Sequence, residues 1–218
     1  EQSTVEHFSP QEALSRVSAA GAGDKPIVLA DFSDNPGGGS YGDSPALLKQ
    51  MVEAGLQNAA FAVISDPEVA AAAVKAGEGA EISMPLGGKF DPSVTPAFDM
   101  TGTVTKISPE GRFVFEGPMM KGVEAVMGPS AVIKIGGVET VVITNRFQPY
   151  DRMFFVHFGV IPEEKSVVVV KSAQHFRAAY GPMAREVILV DAAGITSPDP
   201  KKFAYQNVRR PIWPLDWH

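Results

Sequence analysis

Three short apolar runs, at residues 27–32, 59–65 and 80–84, alternate with segments that carry helix signals, and this alternation constrains the fold more than any other feature. Short apolar runs bounded by turn residues read as buried strands. Between the first two, Ser44-Pro45 opens a helix carrying Leu47, Leu48, Met51 and Val52, and Gly55 closes it. Between the second and third, Asp66-Pro67 starts a helix over 68–76 that Gly77 closes. A β-α-β-α-β order predicts parallel strands joined by right-handed crossovers. Upstream, Ser9 as N-cap and Pro10 at the first helical position predict a helix over 10–20.

The middle of the chain changes character. Residues 101–107, 112–116, 131–135 and 140–144 are β-rich. Pro-Glu-Gly at 109–111 and Gly136-Gly137 divide them into two pairs, which predicts two antiparallel hairpins. The last third returns to α/β, with a helix over 151–158, a strand over 166–170, a short helix over 174–180 and a strand over 186–190. The predicted fold class is therefore α/β: a mixed sheet with a parallel β-α-β-α-β start, central antiparallel hairpins and a C-terminal α/β return. The tail Arg209-Arg-Pro-Ile-Trp-Pro-Leu-Asp-Trp-His218 holds two prolines and two tryptophans, so it is not a regular helix and is expected to lie against a surface. A length of 218 residues, without repeat or linker, fits one domain. A first residue that is Glu1 rather than Met suggests a processed chain or a piece of a longer one.

Composition narrows the function. With 19 basic and 25 acidic side chains the net charge is −6, which argues against nucleic acid or an anionic membrane as the main partner. The chain has no cysteine, so disulfides, thiol nucleophiles and thiolate metal sites are excluded. No apolar run approaches the roughly 18 residues of a membrane span, and no secretory signal pattern is present, so a cytoplasmic location is expected. His7, His157, His175 and His218 show no i, i+2 or i, i+4 pair and no H-E-x-x-H, so the sequence displays no complete zinc site. There is no G-x-S-x-G elbow either.

The residues that can carry chemistry gather just past the predicted strands. After the first strand comes Asp34-Asn35-Pro-Gly37-Gly38-Gly39-Ser-Tyr-Gly42-Asp43. Its three consecutive glycines permit positive φ and close approach of another molecule, with Asp34 and Asn35 at the rim. Gly37, Gly39 and Gly42 match G-x-G-x-x-G, and Asp66 ends the next strand, as in a dinucleotide fold. Against that, the helix starts only after the last glycine, and Asp43 puts negative charge at its positive end. Gly87-Gly88-Lys89 follows the third strand, on the same carboxyl edge if the sheet is parallel. It is no phosphate loop, because Ser83 and Phe90 stand where Gly and Ser or Thr are required. Past 166–170, Ser172 can cap the next helix while Lys171, His175 and Arg177 crowd the strand end, a set suited to an anionic or carbonyl-bearing ligand. Past 140–144 lies Asn145-Arg146-Phe-Gln148-Pro-Tyr150-Asp151, where Arg146 can pair with Asp34 or Asp151.

Taken in order, Asp34-Asn-Pro-Gly-Gly-Gly39 with Gly42-Asp43, Leu86-Gly-Gly-Lys89, Gly117-Pro-Met119, Lys171-Ser172 with His175-Phe-Arg-Ala178, and Arg209-Arg-Pro-Ile-Trp-Pro-Leu-Asp216 carry a resemblance. The series resembles the C-terminal domain of the MlrC family, microcystin-degradation proteins similar to zinc metallopeptidases, from about Pro26 to the end. That resemblance implies a longer protein whose N-terminal domain carries the zinc ligands and the hydrolytic centre. It implies a zinc-dependent peptidase or amidohydrolase acting on a small peptide or amide substrate. The C-terminal domain then walls the cleft, binds no cofactor itself, has the N-terminal domain as its partner and is inactive alone; a homo-oligomer is open. Cleft-lining candidates are Asp34, Asn35, Gly37, Gly38, Gly39, Lys89, Arg146, Lys171, His175 and Arg177, with no residue assigned as catalytic or as a metal ligand. Two other readings stay open. One is a stand-alone α/β module that binds a small anionic ligand or nucleotide. The other is a scaffold or dimerisation unit with an apolar patch at Ile212, Trp213 and Trp217.

Overall fold

The computed structural model describes residues 6–216, so Trp217 of the expected apolar patch lies outside the described residues. The chain runs α1 (Pro10–Ala20), β1 (Ile27–Asp31), α2 (Ala46–Glu53), β2 (Ala59–Ser65), α3 (Pro67–Ala76), β3 (Glu81–Leu86), β4 (Phe98–Ser108), β5 (Arg112–Val114), β6 (Glu124–Val126), β7 (Ser130–Ile135), β8 (Val138–Ile143), α4 (Met153–Val156), β9 (Val167–Val170), α5 (Arg177–Tyr180) and β10 (Glu186–Val190). One 8-stranded sheet has the order β10-β1-β9-β2-β8-β7-β4-β3, and β5 pairs with β6 in a separate ribbon. The class is mixed α/β. Pairing is parallel from β10 to β8 and antiparallel from β8 to β3.

Sequence alternation decides which face each strand residue covers. Ile27, Leu29, Phe61, Val167 and Val169 point to one face, where α1, α2 and α3 supply Leu14, Leu47, Leu48, Met51, Val69 and Ala73. Val28, Ala30, Val168 and Val170 point to the other, where Phe113, Phe115, Phe154, Phe155, Phe176 and Tyr180 cover them. Burial on both faces is why these strands read as continuous apolar runs. Each large apolar side chain fully removed from water contributes about 1.5–3 kcal/mol. Helix α1 is fixed at its start by a capping box between Ser9 and Glu12, with Pro10 in the first turn. Just before it, Phe8 bridges Val190 and the His7 ring lies 4.6 Å from that of Phe32, so the chain enters at the carboxyl edge of β1 and β10.

Three expectations change, and the strand order adds a feature on which the sequence is silent. β1 and β2 are parallel but not adjacent, because β9 from the last third lies between them and pairs with both. β3 is not a third parallel strand; it pairs with β4 alone, antiparallel, at the sheet edge. Glu81, Ser83 and Pro85 are exposed on one side of it while Leu86 is buried, and a proline without an N–H suits an edge. Residues 112–116 do not return along β4: β5 turns away to pair with β6, and Phe113 and Phe115 pack on Phe154. Lastly, the helices expected over 151–158 and 174–180 shrink to the single turns α4 and α5. The second hairpin, β7 to β8 through Gly136 at φ 58, forms as expected. Among the described residues no helix is long and apolar enough to cross a membrane.

Candidate functional site

The loops that follow β1, β2, β8, β9 and β10 share one edge of the sheet. The segment after β3 reaches it as well, because the Gly87 N–H donates to Asp66 Oδ2 at 2.9 Å. Side-chain carboxylates bind these loops together. Asp34, only 1% exposed, accepts from Ser40 Oγ at 2.7 Å, Gly42 N at 2.8 Å, Ser44 N at 2.8 Å and Lys171 Nζ at 2.6 Å. Asp43 Oδ2 accepts from the backbone of Lys89 at 2.9 Å and Phe90 at 3.0 Å. Asp66 caps α3 through Val69 N at 3.1 Å and takes Lys89 Nζ at 2.9 Å. Asp151 accepts from Gly117 N at 2.8 Å and Met153 N at 2.9 Å. Thr196 Oγ1 joins the loop after β10 to the same assembly, donating to Ser33 O at 2.7 Å and accepting from Asn35 N at 3.2 Å. A buried carboxylate is stable only when its acceptor sites are filled, and these are filled by N–H groups of the same and of neighbouring loops, by the Ser40 hydroxyl and by the Lys89 and Lys171 ammonium groups. The result is a cross-tied rim.

At its centre lies an ion cluster. Lys171 follows β9 and crosses beneath the loop after β1, where Nζ meets Asp34, the carbonyl of Ser44 at 2.7 Å and Asp31 Oδ2 at 3.5 Å. Its side chain is fully buried. Burial alone would push its pKa down; Asp34 and Asp31 outweigh that and hold it above the usual lysine value. Asp31 is pushed up to about 6, by burial first and by the Asp34 charge in addition, against the opposing pull of Lys171 and Ser33. Its Oδ1 accepts from Ser33 Oγ at 3.0 Å, while its Oδ2 is a buried oxygen without a hydrogen-bond partner.

The expected site residues divide into an inner and an outer group. Asn35 Oδ1 accepts the Gly37 N–H at 3.0 Å and starts a short 3₁₀ turn, Pro36–Gly38, which Gly39 ends at φ 99. A Cβ at Gly37 would stand 2.0 Å from Gln148 Oε1, so any other residue here would push the Gln148 side chain aside. Lys89 is neutralised by Asp66 and Glu68, the latter at 2.7 Å. Lys171 points inward, whereas His175 and Arg177 are exposed, so the three do not gather at one mouth. Ser172 caps no helix; its Oγ accepts from Gln148 Nε2 at 2.7 Å, and Gln148 Nε2 also lies 3.2 Å from His175 Nδ1. Arg177 bonds Gln174 at 3.0 Å and lies over the Phe176 ring. Arg146 meets neither Asp34 nor Asp151. It is exposed, and NH1 donates to the carbonyl of Ser40 at 3.3 Å.

Sequence reasoning missed Asp31, Asp43 and Asp151 as ties, and Gln148 as the bridge to His175. The available signal was an acid placed at the end of an apolar run or beside glycine. The same ties weaken the dinucleotide reading, since Asp66 is already engaged by α3, Gly87 and Lys89. Among the described residues no three His, Asp or Glu side chains converge as a metal site, and the loop aspartates already face N–H and ammonium donors. These residues do not fit a zinc ion. A cavity of about 840 Å³ between α1 and α2 is lined by residues such as Gln11, Ser15, Ala46 and Gln50 and holds no such cluster.

Comparison with known proteins connects this geometry to a family. Residues 29–207 match the family model described as "MlrC C-terminus". The chain is 32% identical over 191 residues to Microcystinase C of Sphingomonas sp., a match that covers 88% of this chain and 36% of that protein. It superposes with TM-score 0.85 and 29% identity on the crystal structure of a "putative metallopeptidase" from Mesorhizobium sp. BNC1, covering 99% of this chain and 42% of that one. The chain thus spans less than half the length of these relatives.

Proposed function

The chain belongs to the MlrC C-terminus family, and from that premise we propose that its cross-tied rim forms one wall of a hydrolytic cleft in a zinc-dependent peptidase or amidohydrolase. In this reading the 218 residues are a single domain, and polypeptide beyond the matched region supplies the zinc site and the opposite wall. A cytoplasmic setting belongs to the same proposal. One observation carries it: the loops at one sheet edge, and the segment after β3 that reaches it, are tied to one another by buried side chains, so the edge is held in place as a wall would be. Sites work best on groups held by such a supporting shell. A zinc ion activates water and polarises a carbonyl, but no donor set among the described residues fits one.

What these residues can supply is orientation and hydrogen bonding. With Gln148 Nε2 donating to His175 Nδ1, neutral His175 carries its proton on Nε2 and offers it to a carbonyl oxygen or oxyanion. In the longer polypeptide, His175→Ala is expected to lower kcat/KM for peptide hydrolysis roughly 100-fold, with thermal midpoint and bound zinc unchanged. Unchanged kinetics would remove the edge from the cleft. Lys171 is no longer a candidate for substrate contact in this proposal, because its ammonium is enclosed by Asp34, Asp31 and Ser44.

A further inference from the structure

We propose that Arg146, together with the stacked rings of Tyr41 and Phe90, forms a subsite for a carboxylate that carries a neighbouring apolar group, as on the C-terminal residue of a peptide. The inference rests on the cleft reading and adds a substrate class to it. It starts from how the cations on this edge are partnered. Lys89 is neutralised by Asp66 and Glu68, Lys171 by Asp34 and Asp31, and Lys202 by Asp191. Arg152 pairs with Glu163. Arg177 has its guanidinium over Phe176 and bonded to Gln174. Arg146, among the described residues, has no carboxylate partner and a single hydrogen bond, to the Ser40 carbonyl.

Arg146 is nevertheless held. Its Cγ lies 3.7 Å from where a Cβ on Gly42 would stand, an ordinary packing distance, so the stem runs alongside the Gly42 backbone, whose φ of 70 and close approach to Pro36 favour glycine. Its remaining guanidinium N–H groups are available in the planar fork that matches a carboxylate. Next to Ser40, the Tyr41 ring stacks on Phe90 with centroids 5.7 Å apart and planes 8° from parallel. Phe90 is 58% exposed, an unusual position for a large ring. The backbone that carries Phe90 is tied to the loop that carries Tyr41, because Asp43 accepts both the Lys89 and Phe90 N–H groups. Arg146 NH1 is bonded to the carbonyl of Ser40, the residue before Tyr41, so a guanidinium without a carboxylate partner and an aromatic pair occur at the same loop, the combination that suits a carboxylate carrying an apolar group. The nearby carboxylates of Asp34, Asp43 and Asp66 are each at most 2% exposed and already hydrogen-bonded, so none competes for the guanidinium.

The test is a titration of this chain followed by NMR, using N-acetylphenylalanine, its amide, and inorganic phosphate as probes. N-acetylphenylalanine is expected to give saturable shifts in the Arg146 side chain and in the Tyr41 and Phe90 rings. Apparent affinity should fall at least about tenfold with the amide and with Arg146→Gln, equivalent to about 1.4 kcal/mol. Equal binding of the amide, or an unaffected Arg146→Gln, overturns the proposal. Phosphate binding as tightly as N-acetylphenylalanine also overturns it, since the rings would then contribute nothing. The titration reads this chain without hydrolysis, so its failure leaves the His175→Ala result standing, and the reverse holds equally.

Discussion

Lys171→Met is expected to lower the unfolding free energy by about 3–5 kcal/mol, the cost of leaving a buried charge without its partner. Removing the ammonium leaves Asp34 and Asp31 fully enclosed, with only hydroxyl and backbone donors for compensation. It also cuts a side chain that joins the loop after β9 to both Asp34 in the loop after β1 and the Ser44 carbonyl just before α2. Methionine fills similar volume, so the loss reports charge rather than a cavity. Denaturation in urea, read as a change in midpoint at constant slope, measures it. A change below about 1 kcal/mol would mean that the cluster is hydrated and the rim loose. Adding Asp34→Asn and Asp31→Asn to Lys171→Met should recover part of the loss, because a buried pair is costlier to break than to remove.

The second large effect is a pH dependence centred on Asp31. Its carboxyl rises from 3.8 to about 6 on folding, so the native state holds this proton more tightly than the unfolded chain does. Between about pH 4 and pH 6 the native state therefore binds more protons, and stability falls as pH rises through that window. Above it both states are ionised and the penalty stays constant, at about 3 kcal/mol for a rise of this size. Asp31→Asn removes the titration. The difference in unfolding free energy between Asp31→Asn and the parent chain should thus grow in favour of the variant from about pH 4 to about pH 6 and then level off. Comparing the pair isolates Asp31 from surface carboxylates such as Glu68 and Asp216, whose lowered pKa values act in the opposite direction. A difference independent of pH would show that Asp31 is ionised throughout, with Lys171 outweighing its burial.

Much of the fold was legible because local signals were unambiguous. Ser9, Asp66 and the glycines at 55 and 77 marked helix ends where the structure has them. The valines of β9 could only be a strand buried on both faces. What the sequence could not reveal was long-range pairing. Nothing local says that β9 inserts between β1 and β2, or that β3, despite its place in a β-α-β series, takes the outer edge; Pro85 and the alternation of Glu81, Ile82, Ser83 and Met84 were the available hints. The same gap affected the site. Asp34, Lys171, Lys89 and Arg146 were all picked out as polar groups past strand ends. Which of them would neutralise one another depends on contacts between loops more than a hundred residues apart, as for Lys171 and Asp34.

The most direct test of the cleft account is hydrogen–deuterium exchange of this chain alone and joined to the further, zinc-bearing polypeptide that the proposal calls for. The account predicts added protection in residues 36–42, 87–90, 145–150 and 172–177, the loops of the rim, with little change on α1 and α2. Protection confined to the groove between α1 and α2, with the rim exchanging as before, would contradict it.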